Sequence, residues 1–176
     1  VKNALFRLGA ESLVTDDPEE IRSADKVIFP GVGSAGPAMA YLKERKLDVL
    51  IKGLKQPVLG VCLGMQLMCK YSEEGNTDCL GVFDNQVRAF KGAGLIPHMG
   101  WNEVIQVAHP MWEGIPDRTR FYFVHSYRYA DVHANCVVGT CDYGSLFAAA
   151  LARDKVFAVQ FHPEKSHDPG IQLYRN

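Results

Sequence analysis

The segment from Val58 to Gln66 constrains the fold of this chain more than any other. The apolar run Val58 to Val61 leads into Gly60-Val61-Cys62-Leu63-Gly64, and a further apolar stretch follows. This pattern is typical of a strand that turns sharply into a helix around a nucleophile, with Cys in the place of Ser. The two glycines are needed because a Cβ there would collide with the neighbouring backbone. The pattern therefore predicts Cys62 at the carboxyl edge of a sheet and at the start of a helix.

We interpret Cys62 as a nucleophile rather than a structural residue. An arbitrary cysteine is more often a buried, unreactive side chain. The start of a helix changes that expectation, because it stabilises a thiolate and offers free amide N–H groups to a developing oxyanion. The other cysteines lack this context and are expected to be structural: Cys69, Cys79, Cys136 and Cys141.

The spacing of the cysteines bears on metal binding and on compartment. No two of them form a CxxC pair, so we expect no zinc site and no other metal. Their odd number, five, and their irregular spacing do not suit a disulfide framework. The odd number and the irregular spacing indicate a reducing compartment, and we predict that the protein is cytoplasmic.

A base for this nucleophile is predicted at His162, which follows an apolar run and precedes Pro163 and Glu164. Ligand sites in α/β sheets form where strands end, and the proline biases His162 towards an extended backbone. Residues two apart in an extended stretch share a face, so Glu164 can accept from one ring nitrogen while the other faces Cys62. His-Pro-Glu alone is equally compatible with a solvated turn, and the cysteine motif favours the catalytic interpretation.

Strands and helices alternate in the first half of the chain, which predicts an α/β fold with a mainly parallel central sheet and flanking helices. Short turns between strands in the second half indicate antiparallel additions to that sheet. Repeats and linker-like runs are absent from the sequence, so we predict one domain over residues 1–176. The expected helices are 1–8, one that starts at 16–18, 37–54, 63–71 and 169–176. The expected strands are 11–14, 26–29, 57–61, 87–90, 103–107, 121–129, 137–141, 146–153 and 156–161, with a loop at 97–102.

Charge and composition argue against several function classes. The formal net charge is −1, and Lys and Arg are interspersed with Asp and Glu. The sequence therefore shows no cluster of basic residues of the kind that binds nucleic acid. No apolar run approaches the length of a membrane span.

Pro30-Gly31-Val32-Gly33 follows a predicted strand, and its two glycines would let backbone amides face a ligand. The third glycine of a dinucleotide fingerprint is missing at the required offset, so we expect no nucleotide cofactor.

Three motifs, in this order, resemble the class I, or triad-type, glutamine amidotransferases: Pro30 to Gly33, Gly60 to Gln66 and Phe161 to Glu164. Within that family the chain most resembles the glutaminase subunits of imidazole glycerol phosphate synthase, an enzyme of histidine biosynthesis. The segments behind this closer resemblance are Pro97 to Asn102, Phe123 to Tyr127 and His162 to Ser166. The similarity runs over essentially the whole chain, although 1–176 is expected to lack the family's first strand and the end of its last helix.

The resemblance implies a role for each motif. Cys62, His162 and Glu164 would form a catalytic triad that works through a γ-glutamyl thioester on the cysteine. Glutamine and its oxyanion would be held by Gly31, Val32, Gly33, Leu63, Gln66, His125, Ser126 and Tyr127. Trp101 and Lys165 would lie at the interface of a heterodimer with a (β/α)8-barrel cyclase subunit, which receives the ammonia. The reaction would need no cofactor.

Three alternatives remain open from the sequence. The nearest is a triad glutaminase that serves GMP, anthranilate or pyridoxal phosphate synthesis. A second is a peptidase or redox-sensing module built on the same cysteine turn, and a third is a relative that only binds. Glutamate release from glutamine separates the glutaminases from the other two.

Overall fold

The computed structural model describes residues 1–91 and 94–176, and its architecture is α/β as predicted. The α-helices are α1 (Lys2–Arg7), α2 (Pro18–Ser23), α3 (Ala35–Glu44), α4 (Leu47–Gly53), α5 (Leu63–Met68) and α6 (His167–Arg175). Short 3-10 turns cover Glu74–Asn76, Pro110–Trp112 and Pro163–Lys165. The strands are β1 (Val27–Gly31), β2 (Val58–Cys62), β3 (Cys69–Ser72), β4 (Thr77–Asp78), β5 (Phe83–Ala89), β6 (His98–Glu103), β7 (Ile105–Gln106), β8 (Arg120–His125), β9 (Tyr127–Tyr129), β10 (Val137–Asp142), β11 (Leu146–Arg153) and β12 (Val156–Val159).

In the described residues the strands form a large mixed sheet and a two-stranded sheet. The large sheet has the order β1-β2-β12-β11-β9-β5-β3-β4, with β10 joined to β11 and β7 to β10, while β6 and β8 pair separately. Strands β1, β2 and β12 run parallel, as do β3 and β5. The remaining pairs are antiparallel. The parallel part positions the site, because it brings the carboxyl ends of β1, β2 and β12 to one edge.

The register of these three strands aligns the predicted motifs. Gly31 lies opposite Cys62 across β1 and β2, and Val159 lies opposite Val61 across β12 and β2. Gln160 therefore follows β12 at the level of Cys62, and His162 lies two residues further on.

Two buried clusters pack against the opposite faces of the large sheet. Val58 belongs to one and Val61 to the other, as expected for strand residues an odd number apart. The first cluster joins α3, α4 and α5 to the sheet through side chains such as Met39, Leu50 and Met65. The second joins β8 and α6 to the other face, with Phe121 and Leu173 among its members.

The predictions for the first helices and strands are partly correct. Helices α1, α2 and α6 lie where expected, and Asp17 caps α2 by accepting from the Glu19 amide at 2.8 Å. The strand predicted at 11–14 is wrong: Leu13 and Val14 are exposed and the segment joins no ladder. A strand needs a partner for its backbone groups, and this segment pairs with no strand among the described residues.

The long helix predicted at 37–54 is also wrong, because α3 ends at Glu44 and α4 begins at Leu47. Lys46 between them has a left-handed backbone, with φ 58°, which cannot continue a right-handed helix. The break redirects the chain so that α4 buries both Leu47 and Leu50.

The helix predicted at 63–71 ends earlier, at Met68. Cys69 has an extended backbone and starts β3, which pairs with both β4 and β5. The apolar run suited either structure, and pairing with distant strands decided between them.

The predicted loop at 97–102 is a strand, β6, which pairs antiparallel with β8 over its whole length. The strand predicted at 103–107 is consequently divided between the end of β6 and the short β7. The local sequence carries no clear strand pattern, and the pairing with β8, further along the chain, supplies the ladder.

The strand predicted at 121–129 is interrupted at Ser126. Its first part, β8, pairs with β6 in the small sheet, and its second part, β9, pairs with β5 and β11 in the large sheet. The chain thus changes sheets at Ser126, beside the predicted site.

The described residues contain no helix that is both long and apolar enough to cross a lipid bilayer.

Candidate active site

Cys62 lies in a sharp turn between β2 and α5. Its backbone has φ 54° and ψ −110°, a strained combination for a residue with a Cβ, and its side chain is buried. A Cβ on Gly60 would lie 2.8 Å from Sδ of Met68, and one on Gly64 would lie 1.8 Å from the Phe29 carbonyl oxygen. Both glycines are therefore required by close packing, as the sequence pattern predicted.

The predicted oxyanion segment lies directly beside this turn. A Cβ on Gly31 would be 3.0 Å from Cβ of Leu63, so the backbone of β1 packs against the first residue of α5. Beyond it, Val32 is exposed and Gly33 has φ 96°, a conformation that suits glycine. Gly31, Val32, Gly33 and Leu63 thus lie together at the edge where Cys62 ends β2.

His162 and Glu164 are in contact: Nδ1 of the imidazole lies 2.8 Å from Oε1 of the carboxylate. The contact was predicted, but the predicted extended backbone from His162 to Glu164 is wrong. Only His162 is extended, and Pro163–Lys165 forms a 3-10 turn that brings the carboxylate to Nδ1 of the ring. Tyr174 of α6 donates to the other carboxylate oxygen at 3.3 Å.

The electrostatics of this pair favour a protonated His162. Burial alone would lower its pKa, but the neighbouring Cys62 and Glu164 outweigh burial and raise the pKa to about 9. Burial likewise acts to raise the pKa of Glu164, but the hydrogen bond and charge of His162, together with a backbone hydrogen bond, outweigh burial and lower the pKa. Nε2 of His162 is buried and has no hydrogen-bond partner among the described residues, so it is available for a reacting group.

The backbone of His162 is held by residues that the sequence did not single out. Its amide donates to the Tyr122 carbonyl at 2.9 Å, which ties the end of β12 to β8. The buried Ser166 hydroxyl donates to the His162 carbonyl at 2.7 Å and accepts from the Tyr122 amide at 3.0 Å. These bonds fix the ring relative to the small sheet.

Gln66, predicted to hold glutamine, has a buried side chain whose amide group is already engaged. Its Nε2 donates to the Tyr127 carbonyl at 3.0 Å and to Oε1 of Gln160 at 2.9 Å. An amide NH₂ has two hydrogens, so only Oε1 of Gln66 remains for a ligand in this arrangement.

His125, another predicted substrate residue, also has both ring nitrogens engaged. Nδ1 lies 2.7 Å from the Tyr127 carbonyl oxygen, and Nε2 lies 2.9 Å from Nδ1 of His98. A carbonyl only accepts, so Nδ1 of His125 carries its proton and Nε2 must accept from His98. Burial lowers the pKa of His98 to about 4 and of His125 to about 3, so both rings are neutral at physiological pH.

The end of β8 contacts the side chain of Cys62. Sγ of Cys62 lies 3.8 Å from the Val124 carbonyl, and the Tyr127 carbonyl accepts from Gln66 as described. Ser126 and Tyr127, both half-buried, follow directly after this end of β8, and Tyr127 is joined to α5 through Gln66.

The two residues predicted to contact a partner lie against the same ring, that of Tyr122 in the small sheet. Trp101 is partly exposed, stacks on His167 with ring centroids 5.2 Å apart, and packs edge-on against Tyr122. Nζ of Lys165 lies 5.6 Å from the centre of the same Tyr122 ring. The face formed by these residues adjoins the turn that carries Glu164.

No group of three or more His, Cys, Asp or Glu side chains in residues 1–91 and 94–176 could hold a metal ion. All five cysteines are free.

Comparison with known proteins identifies the family. The sequence model of the family described as glutamine amidotransferase class-I matches residues 1–176. The chain belongs to the class I glutamine amidotransferase family. Cys62, His162 and Glu164 of this amidotransferase are the residues that its geometry brings together.

Two curated relatives narrow the place of this amidotransferase within the family. It is 50% identical to imidazole glycerol phosphate synthase subunit HisH of Bacteroides fragilis, over 179 residues that cover 100% of this chain and 90% of that one. It is also 50% identical to subunit HisH of Pseudomonas putida, with 100% and 89% covered. A solved glutamine amidotransferase matches with a TM-score of 0.73 at 21% identity, covering 98% of this chain and 88% of that one, and confirms the fold class.

Sequence reasoning missed several residues that hold this site together, among them Gln160, His98, Tyr122 and Ser166. One signal for Gln160 was present, since a single amide follows the apolar strand immediately before Phe161 and His162. The pairing of His98 with His125 had no local signal, because it depends on the register of β6 and β8.

Proposed function

We propose that this chain is the glutaminase subunit of an imidazole glycerol phosphate synthase, which hydrolyses glutamine to glutamate and passes ammonia to a cyclase subunit. One observation carries the proposal. His162, 2.8 Å from Glu164, has a free buried nitrogen beside Cys62 at the edge of the parallel strands. The relatives named as HisH subunits support the choice of synthase.

The first half of the reaction releases ammonia. Sγ of Cys62, as thiolate, attacks the side-chain amide carbon of glutamine, and the carbonyl electron pair moves onto oxygen. Nε2 of His162, protonated near neutral pH because its pKa is raised to about 9, gives its proton to the amide nitrogen. The carbon–nitrogen bond breaks, ammonia leaves, and a γ-glutamyl thioester remains on Cys62.

The second half regenerates the enzyme. His162, now neutral, takes a proton from water, and the resulting hydroxide adds to the thioester carbon. The carbon–sulfur bond then breaks and glutamate is released, with the thiolate and the protonated ring restored. Glu164 holds Nδ1 throughout and stabilises the imidazolium.

The oxyanion of each tetrahedral intermediate needs hydrogen-bond donors close to Cys62. We assign this role to backbone amides of Gly31, Val32, Gly33 and Leu63, since β1 packs against the start of α5. Ser126, Tyr127 and Oε1 of Gln66 would contact the rest of the glutamine. For His125 we assign a supporting role through the Tyr127 carbonyl, because its ring nitrogens are already bonded.

The ammonia would pass to a (β/α)8-barrel cyclase subunit in a heterodimer. There it would react with a phosphoribosyl formimino substrate to give imidazole glycerol phosphate and an aminoimidazole carboxamide ribotide. The proposed contact surface is the face that carries Trp101 and Lys165 around Tyr122. Placement of the complex in the cytoplasm follows the same proposal.

A test is glutamate release from glutamine by the chain alone, with the cyclase subunit, and with that subunit and its nucleotide substrate. We expect low release alone and strong stimulation when both are added. Equal release without the partner would contradict the coupled mechanism. Release coupled instead to GMP, anthranilate or pyridoxal phosphate synthesis would assign the chain to another synthase.

Variants of the nucleophile separate chemistry from assembly. Cys62→Ala should abolish glutamate release, whereas Cys79→Ala, at a half-buried cysteine away from the site, should not. The Cys62→Ala complex should still make product from added ammonia. Failure with added ammonia, while the two subunits still bind each other, would count against delivery to the cyclase.

The proposed interface has its own test. Trp101→Ala and Lys165→Ala should weaken binding of the cyclase subunit in titration calorimetry, because they remove an aromatic anchor and a charge from one face. Lys155→Ala, at an exposed lysine after β11, is the matched control. Unchanged affinity in both interface variants would place the partner elsewhere.

A further inference from the structure

Gln160 occupies an unusual position for an amide. It is fully buried and follows the last ladder residue of an apolar strand, directly beside Cys62 on the neighbouring strand. Its own backbone amide donates to the Ala149 carbonyl at 2.9 Å, which holds its backbone against β11. Burial of an amide group costs free energy unless its polar atoms find partners. The side chain of Gln160 finds them at the nucleophile and at Gln66.

The contacts determine which way the amide of Gln160 points. Its Oε1 accepts from Nε2 of Gln66 at 2.9 Å, and its Nε2 lies 3.8 Å from Sγ of Cys62. Gln66 is fixed in turn, because its other amide hydrogen is donated to the Tyr127 carbonyl. Reversing the Gln160 amide would set its NH₂ against the NH₂ of Gln66. The donor end of Gln160 is therefore directed at the sulfur.

The two hydrogen-bonding neighbours of the sulfur suit different protonation states. The Val124 carbonyl, 3.8 Å away, can only accept, so it suits the thiol. The Gln160 amide nitrogen can only donate, so it suits the thiolate, which has no proton to give. Donation to the charged form of a group favours that form.

We propose that Gln160 is a positioning residue that stabilises and orients the Cys62 thiolate, and that Gln66 sets its donor direction. The role belongs to the proposed glutaminase reaction and rests on that function. It adds a donor on the β12 side of the sulfur, opposite the β1 segment assigned to the oxyanion. Among the described residues, His162, backed by Glu164, is the titratable group beside the sulfur, and the neutral His125 follows Val124 in β8.

The test is the pH dependence of Cys62 alkylation by iodoacetamide, followed by mass spectrometry of the Cys62 peptide. Gln160→Met keeps the volume but removes the donor, and Gln160→Glu keeps an acceptor for Gln66 but replaces the donor. We expect alkylation at pH 7 to slow by roughly tenfold in both, as for loss of a hydrogen bond to a charged group. The rates should approach that of the unmodified chain at high pH, where the sulfur is ionised in every variant.

The control is Gln56→Met, which makes the same substitution at a half-buried glutamine in another part of the chain, whose amide donates to the Ile21 carbonyl. It should leave the alkylation profile unchanged. A purely structural role for Gln160 would change the rate by the same factor at every pH, or would increase labelling of the other cysteines. Either result, or an unchanged profile in both Gln160 variants, would overturn the proposal. If Gln160→Met does not fold, the profile of Gln160→Glu or Gln160→Asn decides, and misfolding of all three would assign Gln160 to stability alone.

The alkylation experiment tests the role of Gln160 separately from the proposed glutaminase function. Alkylation needs neither glutamine nor the cyclase subunit. A shifted profile in a chain that releases no glutamate would retain the positioning role and reject the glutaminase. Normal glutamate release in the cyclase complex of Gln160→Met would reject the positioning role and retain the glutaminase.

Discussion

Nδ1 of His162 lies 2.8 Å from Oε1 of Glu164, and this contact decides which ring nitrogen serves Cys62. An ionised carboxylate only accepts, so Nδ1 must carry a proton. The second nitrogen, Nε2, is then left buried and without a partner among the described residues. In the proposed reaction, the pair therefore supplies both the orientation and the proton that the departing ammonia requires.

Glu164→Gln should keep a hydrogen-bonding side chain next to His162 but remove the negative charge of the carboxylate. The pKa of His162 should fall, since the carboxylate is one of the groups that raise it. Glutamate release in the complex should fall by about 100-fold or more, the usual contribution of positioned acid–base groups. Steady-state rates across pH measure both effects. The exposed Glu44 provides the control Glu44→Gln, and a loss of rate no larger than in that control would contradict the assigned role.

The raised pKa of His162 predicts a dependence of stability on alkaline pH. A group whose pKa rises from 6.5 to about 9 on folding stabilises fully below 6.5, and that stabilisation is lost as pH rises through 9. Denaturant unfolding should therefore show stability falling between these values by about 1 to 3 kcal/mol. His162→Gln should flatten this part of the curve. An equally steep fall in that variant would assign the effect to other groups.

The neutral histidine pair predicts the opposite behaviour in acid. Burial lowers the pKa of His98 to about 4 and of His125 to about 3, so the unfolded chain binds more protons below pH 6.5. Stability is present above 6.5 and is lost as pH falls towards 4.

His98→Phe tests the pair directly. It preserves an aromatic ring where His98 stacks on Tyr143, with centroids 4.0 Å apart, but leaves Nε2 of His125 without its donor. Stability at pH 7.5 should fall by about 1 to 3 kcal/mol, the cost of an unsatisfied buried group. The loss of stability between pH 6.5 and 4 should be smaller than in the unmodified chain. The exposed His133 allows the control His133→Gln, which should alter neither value.

Gly64→Ala should disrupt the turn that carries Cys62. The added Cβ would lie 1.8 Å from the Phe29 carbonyl oxygen, so β1 or α5 must move. We expect a loss of about 3 kcal/mol or more, in the range of severe overpacking and strain. Gly53→Ala, at the exposed end of α4 with nothing within 4 Å, is the matched control and should be neutral or slightly stabilising. Urea unfolding of both variants distinguishes steric exclusion at Gly64 from a general effect of alanine.

Local chemistry was enough to predict the parts of the site that lie within one segment. Gly60, Cys62 and Gly64 are constrained by the sterics of a tight strand-to-helix turn, and a periodic pattern identified the flanking elements. The break at Lys46 and the early end of α5 were not predictable in this way. Both depend on how the chain packs against strands far away in sequence, and apolar spacing alone does not carry that information.

The sequence by itself determined that this chain has Cys62 between two closely spaced glycines, a histidine and glutamate two residues apart, and the motifs of its family. Tertiary structure alone decided which side chains these groups contact and hydrogen-bond. The register of β2 and β12 brings Gln160 to Cys62 across 98 residues of chain, and that of β6 and β8 joins His98 to His125. The physical reason is that hydrogen bonds between strands depend on which residues face each other across the ladder. That alignment is a property of the whole sheet and cannot be predicted from the sequence of either strand alone.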